Sequence, residues 1–365
     1  MKVLFYFGHP AQYLFLRPTL RDMQRSGDHQ ITIVIKTKDV LESLLKQDGM
    51  EYLNILPQER GRSKLAIGMS LLKRNLKLIP VIRRRRPQLL VGTDASMAQL
   101  GKLFGINRIT ITEDDYPVIK TLGRLTYPFT QTILCPEVCS VGAWQEKKIG
   151  YKGYMKLAYL HPSVFVPDEQ VLLQYNLSRP YALIRLAKLT AHHDFGIQGI
   201  NNEVLDRLIA ILEGKGYQVI LSSEAETDKK YQKYLLRVKV TDMHQLLYHA
   251  SMLISDSQSM SVEAAMMGVP SLRLSDFAGK ISVLEELENT YQLTFAFKPG
   301  SVDALEKKLD ALLDVSHLKE EFAGRRMRML DDKINVSAFL TWFITQYPKS
   351  REIMQQDPEF QLKFK

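Results

Sequence analysis

The chain has 365 residues, 45% of them hydrophobic, and a formal net charge of +9. That length exceeds what one hydrophobic core usually supports, so two domains of α/β size are expected, and the composition excludes a disordered chain. Cys135 and Cys139 are the only cysteines, too few for a disulfide framework or a zinc cage, which points to a reducing compartment.

From the N-terminus, the apolar run before Gly8, His9 and Pro10 reads as a strand, too short for a signal peptide or a membrane span. No segment approaches the ~20 apolar residues that a spanning helix needs, so a cytoplasmic protein is expected. Strand-like runs at about 2–7, 31–35, 51–55, 88–91, 108–112 and 132–135 alternate with helix-like segments near 12–26, 38–48, 64–84, 95–104 and 137–148. This is the pattern of a doubly wound parallel sheet. Residues 160–167, with two prolines and little periodicity, read as a connector. A second series has strands near 181–186, 217–221, 252–255, 270–274 and 294–297, and helices near 199–214, 228–238, 242–250, 258–267 and 301–313. The division expected is therefore 1–160, 161–334 and a helical tail, 335–365, packing back on the first domain.

The densest basic cluster, Arg83 to Arg86, follows Lys73, Arg74 and Lys77. The segment KLAIGMSLLKRNLKLIPVI before it has largely helical spacing, with Pro80 expected to kink or end it. Lys64–Arg86 is then either a peripheral contact on the inner face of an anionic membrane or the solvated end of a core helix. Zinc-finger, helix-turn-helix and aromatic RNA-binding signatures are lacking, so no nucleic acid is expected.

The stretch SDSQSMSVEAAMMGVP, Ser255 to Pro270, says most about function. It reads as strand end, polar turn, short helix, Gly stop and new strand, with Asp256, Ser257 and Ser259 as possible N-caps. A helix start holds unpaired N–H groups and a positive dipole end, which stabilise an anion such as a diphosphate. Glu263, about one turn further in, is then placed for ribose hydroxyls. An ordinary βα turn with a capping box would look the same.

Two Rossmann-like halves imply a cleft at the carboxyl edges of two sheets. His9, Thr93, Asp94, Glu113, Asp114 and Asp115 end strands of the first half. His192, His193, Asp194 and Ser257 to Glu263 end strands of the second. Neither GxGxxG nor GxxxxGK[ST] occurs, so dinucleotide oxidoreduction and P-loop hydrolysis lack their signatures.

These residues resemble, in order along nearly the whole chain, the GT-B superfamily and within it the UDP-N-acetylglucosamine 2-epimerase branch. SDSQSMSVEAAMMGVP resembles that branch's SDSGGxQEEAxxxGxP motif. The likeness implies Ser257, Gln258, Ser259 and Met260 at the diphosphate turn and Glu263 at the ribose. Thr190 to Asp194 resembles its T-x-H-R turn and implies His192 beside the diphosphate. Asp94 in VGTDAS falls at its HGDTT aspartate, and Glu113 in ITITEDD at a glutamate of the next strand. The opening FYFGHPAQYLFLRP resembles more closely a less characterised GT-B-like family associated with polysaccharide biosynthesis.

The chain departs from the epimerase pattern at Gln258-Ser259, which stand for Gly-Gly, at His9-Pro10-Ala11, which stand for Arg-Pro-Glu, and in lacking a PEExNR segment between Tyr116 and Leu134. An epimerase of this kind removes and returns a C2 proton and breaks the anomeric C–O bond to UDP, which takes several placed acids and bases. Gly8-His9-Pro10 resembles a turn of inverting GT-B transferases whose His deprotonates the acceptor, although His9 serves equally as a loop cap. Asp94 and Glu113 are alternatively helix caps. Arg273 and Lys280 are either counter-charges for a diphosphate leaving group or ordinary cations. Asp114-Asp115 could bind a metal, but neither metal nor cofactor is expected.

The sequence therefore reads first as a GT-B glycosyltransferase moving sugar from a nucleotide-diphosphate sugar, UDP-linked, to a glycan or lipid-linked acceptor. His9, Asp94, Glu113 and His192 are its catalytic candidates, and Ser257 to Met260, Glu263 and Arg273 its binding ones. A UDP-sugar 2-epimerase, hydrolysing or not, is the alternative. A nucleotide-sugar-binding protein without chemistry is the third reading.

Overall fold

The computed structural model describes residues 1–38, 40–56, 64–177, 180–187, 199–224 and 227–365, with backbone alone at 64–67. The chain divides into two compact units, Met1–Val164 with Lys333–Lys365, and Phe165–Asp332.

The first unit is built on a seven-stranded parallel sheet. Its strands are β1 (Lys2–Phe7), β2 (Gln30–Lys36), β3 (Leu53–Leu56), β4 (Leu89–Gly92), β5 (Asn107–Ile111), β6 (Thr132–Pro136) and β7 (Lys148–Tyr151). They lie in the order β3-β2-β1-β4-β5-β6-β7. The runs LFYF and LLV are apolar throughout because a parallel sheet covered on both faces buries both side-chain rows. On one face Leu4, Tyr6, Val34 and Leu90 pack against Leu78 and Ile82 of the helix Lys64–Arg85 and Met97 and Leu100 of the helix Ala95–Leu103. The order in which strands are added reverses between β1 and β4, so a crevice is expected outside their carboxyl ends.

Several local expectations fail. No helix occupies 137–148: turns and a single 3₁₀ turn at Gln145–Lys147 lead into β7, an edge strand whose KIGY sequence carries little apolar signal. The helix Lys120–Thr126 was not expected. Pro80 does not end the long helix, which continues to Arg85. Pro80 and Leu76 both lie on its exposed side, where a carbonyl that loses its helical partner costs least.

After the second unit the chain returns to the first. The helix Val336–Thr345 lies along the helix Pro10–Ser26, with Thr341 Oγ1 donating to Thr19 Oγ1 at 3.3 Å. Phe339 packs with Tyr151, Trp342, Phe343 and Phe364, and Trp342 stacks on Phe360 at 4.8 Å between centroids. Cys135 and Cys139 are buried free thiols, and burial pushes the Cys135 thiol up to about 12. Among the described residues, no helix is long and apolar enough to cross a membrane.

The second unit has a five-stranded parallel sheet: β8 (Tyr181–Leu186), β9 (Gln218–Ser223), β10 (Met252–Ser255), β11 (Ser271–Leu274) and β12 (Thr294–Phe297). Their order, β12-β11-β10-β8-β9, reverses direction between β8 and β10. A helix expected at 228–238 is only a 3₁₀ turn, Lys229–Tyr231. Helices at Ser282–Asn289 and Leu318–Asp332 were not expected. The helix Gln258–Met267 ends at Gly268, whose φ of +72° is the left-handed cap that glycine adopts without strain.

Candidate functional site

The candidate residues fall into one group in each unit. In the second unit, the turn after β10 opens the helix Gln258–Met267 at the β8/β10 switch point. Asp256 Oδ1 accepts from the amide of Ala187, which follows β8, at 2.6 Å and so ties the two strand ends together. Burial pushes the Asp256 carboxyl up to about 6, against the amides of Ala187 and Ile200 that favour its anion. Ser257 is the N-cap: its Oγ accepts from Met260 N at 3.4 Å, while its own amide donates to Ser255 Oγ at 2.8 Å. Among the described residues, the next two amides, of Gln258 and Ser259, donate to no protein acceptor. They are the orphan donors of a helix start, the groups that take an anion.

Beneath this turn lies Arg273, in the middle of β11 and fully buried. Its Nη1 donates to Gln258 Oε1, and Gln258 Nε2 in turn donates to Ser275 Oγ at 2.6 Å. The Arg273 bond fixes which end of the amide is oxygen, leaving the second hydrogen of Nε2 as one more donor at the turn. Arg273 Nε and Nη2 are buried without a hydrogen-bond partner. Burial lowers the guanidinium to about 10, partly opposed by Glu288 and Glu285, and at neutral pH it remains a cation. Two members of the expected set are otherwise engaged. The Met260 side chain is in the core. The Glu263 carboxylate is buried, with Oε1 3.4 Å from His244 Nε2. His244 was not anticipated, since nothing in its local sequence marks a partner 19 residues further along the chain. Lys280 is exposed, on the rim of a cavity of about 570 Å³ also lined by Glu285, Glu288 and Lys298. His192, His193 and Asp194 lie outside the described residues.

In the first unit, His9 and Asp94 follow β1 and β4 on either side of the sheet's switch point, and Glu113 follows β5. His9 is the N-cap of Pro10–Ser26, its Nδ1 accepting from Ala11 N at 3.2 Å. A ring accepting at Nδ1 carries its neutral-form proton on Nε2, so Nε2 presents a donor rather than a base. Asp94 caps Ala95–Leu103, accepting from Ser96 N at 2.9 Å, and pairs with Arg74 Nε at 3.0 Å. Arg74, grouped in sequence with the surface cations, is thus turned inward and buried. Its phase was the available signal: Arg74 stands four and eight residues before the buried Leu78 and Ile82. The capping expectation for Asp94 is met, and a charge pair is added to it. Glu113 caps nothing: it is held by Lys156 Nζ at 2.7 Å and by the amide of Met155 at 2.5 Å, both far along the chain. Asp115 is buried and accepts from Ser140 N at 2.7 Å, whereas Asp114 is exposed, so the two do not converge on one point. Among the described residues, no three His, Cys, Asp or Glu side chains group as metal ligands.

No family model and no curated protein sequence matches the chain. Solved structures do. The UDP-GlcNAc 2-epimerase of Neisseria meningitidis, bound to UDP-GlcNAc, superposes with a TM-score of 0.68 at 15% identity, over 95% of this chain and 100% of that one. The Methanocaldococcus jannaschii UDP-GlcNAc 2-epimerase, in complex with UDP-GlcNAc and UDP, gives 0.62 at 15% identity over 90% and 99%. The Streptomyces sp. SF2575 glycosyltransferase SsfS6 gives 0.58 at 13% over 95% and 100%. The chain has the GT-B fold, two Rossmann-like units, and at these identities the likeness is one of fold.

Proposed function

We propose that the protein is an enzyme acting on a nucleotide-diphosphate sugar, a UDP-linked hexosamine, by 2-epimerase-type chemistry. The observation that carries the reading is the turn Ser257–Ser259, where two orphan helix-start amides and the Gln258 amide face outward above the buried Arg273 cation. Amide donors backed by positive charge fit a diphosphate, and they lie where doubly wound sheets bind ligands. Breaking the anomeric C–O bond hands negative charge to the departing diphosphate, and those donors stabilise it.

The solved neighbours include both epimerases and a transferase, and the His9 geometry supports the epimerase reading. With Nδ1 occupied by the Ala11 amide, His9 is a poor base for an acceptor hydroxyl. The carboxylates of Asp94 and Glu113, held by Arg74 and Lys156, remain the first unit's candidates for moving the C2 proton.

The test is incubation with UDP-N-acetylglucosamine in D2O without any acceptor, followed by NMR. The 2-epimer and deuterium at C2 are expected. UDP release only on adding an acceptor, with the C2 proton retained, would restore the transferase reading. UDP binding without turnover would leave a binding protein.

A further inference from the structure

The helix Lys64–Arg85 carries an outward apolar ridge that the proposed chemistry does not use. Met69, Leu72 and Leu76 are 71%, 61% and 60% exposed. With Pro80 they stand at i, i+3, i+7 and i+11, one stripe along the helix. Lys73, Lys77 and Arg84 are exposed along one flank of that stripe, and Arg83 continues it at the C-terminal end. Arg74, Leu78 and Ile82 occupy the opposite, buried side. No Asp or Glu occurs from Gly61 to Thr93. From Met69 to Arg84 the ridge spans about 22 Å of helix.

We infer that this face docks in the surface of an anionic bilayer, Met69, Leu72 and Leu76 entering the acyl boundary while Lys73, Lys77, Arg83 and Arg84 meet lipid phosphates. Three large apolar side chains in one line gain nothing from water, and leaving them there is costly unless they are covered. The cover must be apolar along its middle and negative at its edge, and an acid-free basic rim is complementary to anionic headgroups above hydrocarbon. The long stems of Lys and Arg allow the charges to reach the headgroups while the ridge sinks. Attachment of this kind differs from a purely electrostatic one, because insertion survives screening. The inference is independent of the nucleotide-sugar reading and stands if that fails.

The experiment is co-sedimentation of the full chain with vesicles of phosphatidylcholine alone and of phosphatidylcholine with phosphatidylglycerol in equal parts. The parent is expected to pellet with the second and not the first, and to remain partly bound in about 1 M salt, where the screening length is about 3 Å. Met69→Ser/Leu72→Ser/Leu76→Ser should lower the partition constant by about tenfold or more for each leucine, with its residual binding lost in salt. Lys73→Gln/Lys77→Gln/Arg83→Gln/Arg84→Gln should lower it by about fivefold per cation. Thermal midpoints equal to the parent's show that both variants fold, as exposed positions allow. Absence of pelleting by the parent, or equal pelleting of parent and serine variant, overturns the inference. So does a lipid-free dimer, seen by light scattering, that the serine changes dissolve, since the ridge would then meet a second copy of the chain.

Discussion

Arg273 sits between Leu272 and Leu274 in a buried strand, beside Ser255 and Ala296 in the sheet. Two of its nitrogens lack partners there, a desolvation cost that replacement by an apolar side chain of similar length removes. Arg273→Met is therefore expected to leave the melting temperature unchanged or raise it. The same change frees the Gln258 amide to turn and removes the cation behind the turn. UDP should then bind about tenfold more weakly by calorimetry while uridine binds as before, because the loss falls on the diphosphate. An unchanged UDP affinity would show that Arg273 is only a core residue. Asp256 makes the second prediction. Its carboxyl is raised in the fold to about 6 from 3.8, so between those values the folded state holds the proton more tightly than the unfolded one. Stability from this group is full below about pH 4 and declines as pH rises to about 6. Asp256→Asn should thus be more stable than the parent at pH 7, by about 2–3 kcal/mol at most, with the difference vanishing below about pH 4. Urea titrations at the two pH values check it.

At the level of elements, the aromatic return of the chain is the most sensitive packing. Phe339 is wholly buried among the rings of Tyr151, Trp342, Phe343 and Phe364, and Phe339→Ala should cost about 3–5 kcal/mol in urea unfolding, with loss of the near-UV signal of the Trp342–Phe360 stack. Elements of this fold were legible where burial leaves a continuous apolar run, as in β1, β4 and β10, or an amphipathic stretch, as in 202–214. They were not legible where pairing comes from the sheet edge alone. β7 exists because Ile149 and Gly150 lie beside Leu134 and Cys135, not because KIGY resists being helix. The site divides in the same way. The helix start at Ser257 is written locally in its caps. The pairing of Glu113 with Lys156, of Asp94 with Arg74 and of Glu263 with His244 arises between positions 43, 20 and 19 residues apart, and no local pattern encodes such a meeting.

At the scale of the molecule, the second unit is one unbroken segment while the first is assembled from both ends of the chain. Residues 165–332 expressed alone should unfold cooperatively, because each of its strands and their covering helices is present. Residues 1–164 alone should not, since Gly153 approaches Val336 so closely that a Cβ there would lie 2.4 Å from its Cγ2, and the C-terminal helices that cover this surface would be missing. Joining 1–164 to 333–365 should restore a cooperative transition by circular dichroism; a stable, cooperative 1–164 would show that the returning helices are dispensable.

The two thiols have a practical consequence. Cys135 lies in β6 with no exposed surface, and Cys139, 1% exposed, donates its Sγ–H to Glu113 O at 3.0 Å. Both are held protonated far above neutral pH, and a protonated, inaccessible thiol does not attack an electrophile. To a maleimide or a spin-label reagent, the folded protein is therefore blank. A single cysteine introduced at Ser259 or at Leu72 becomes its only addressable sulfur, so a fluorophore can report nucleotide at the turn, or lipid at the ridge, without any native residue being removed.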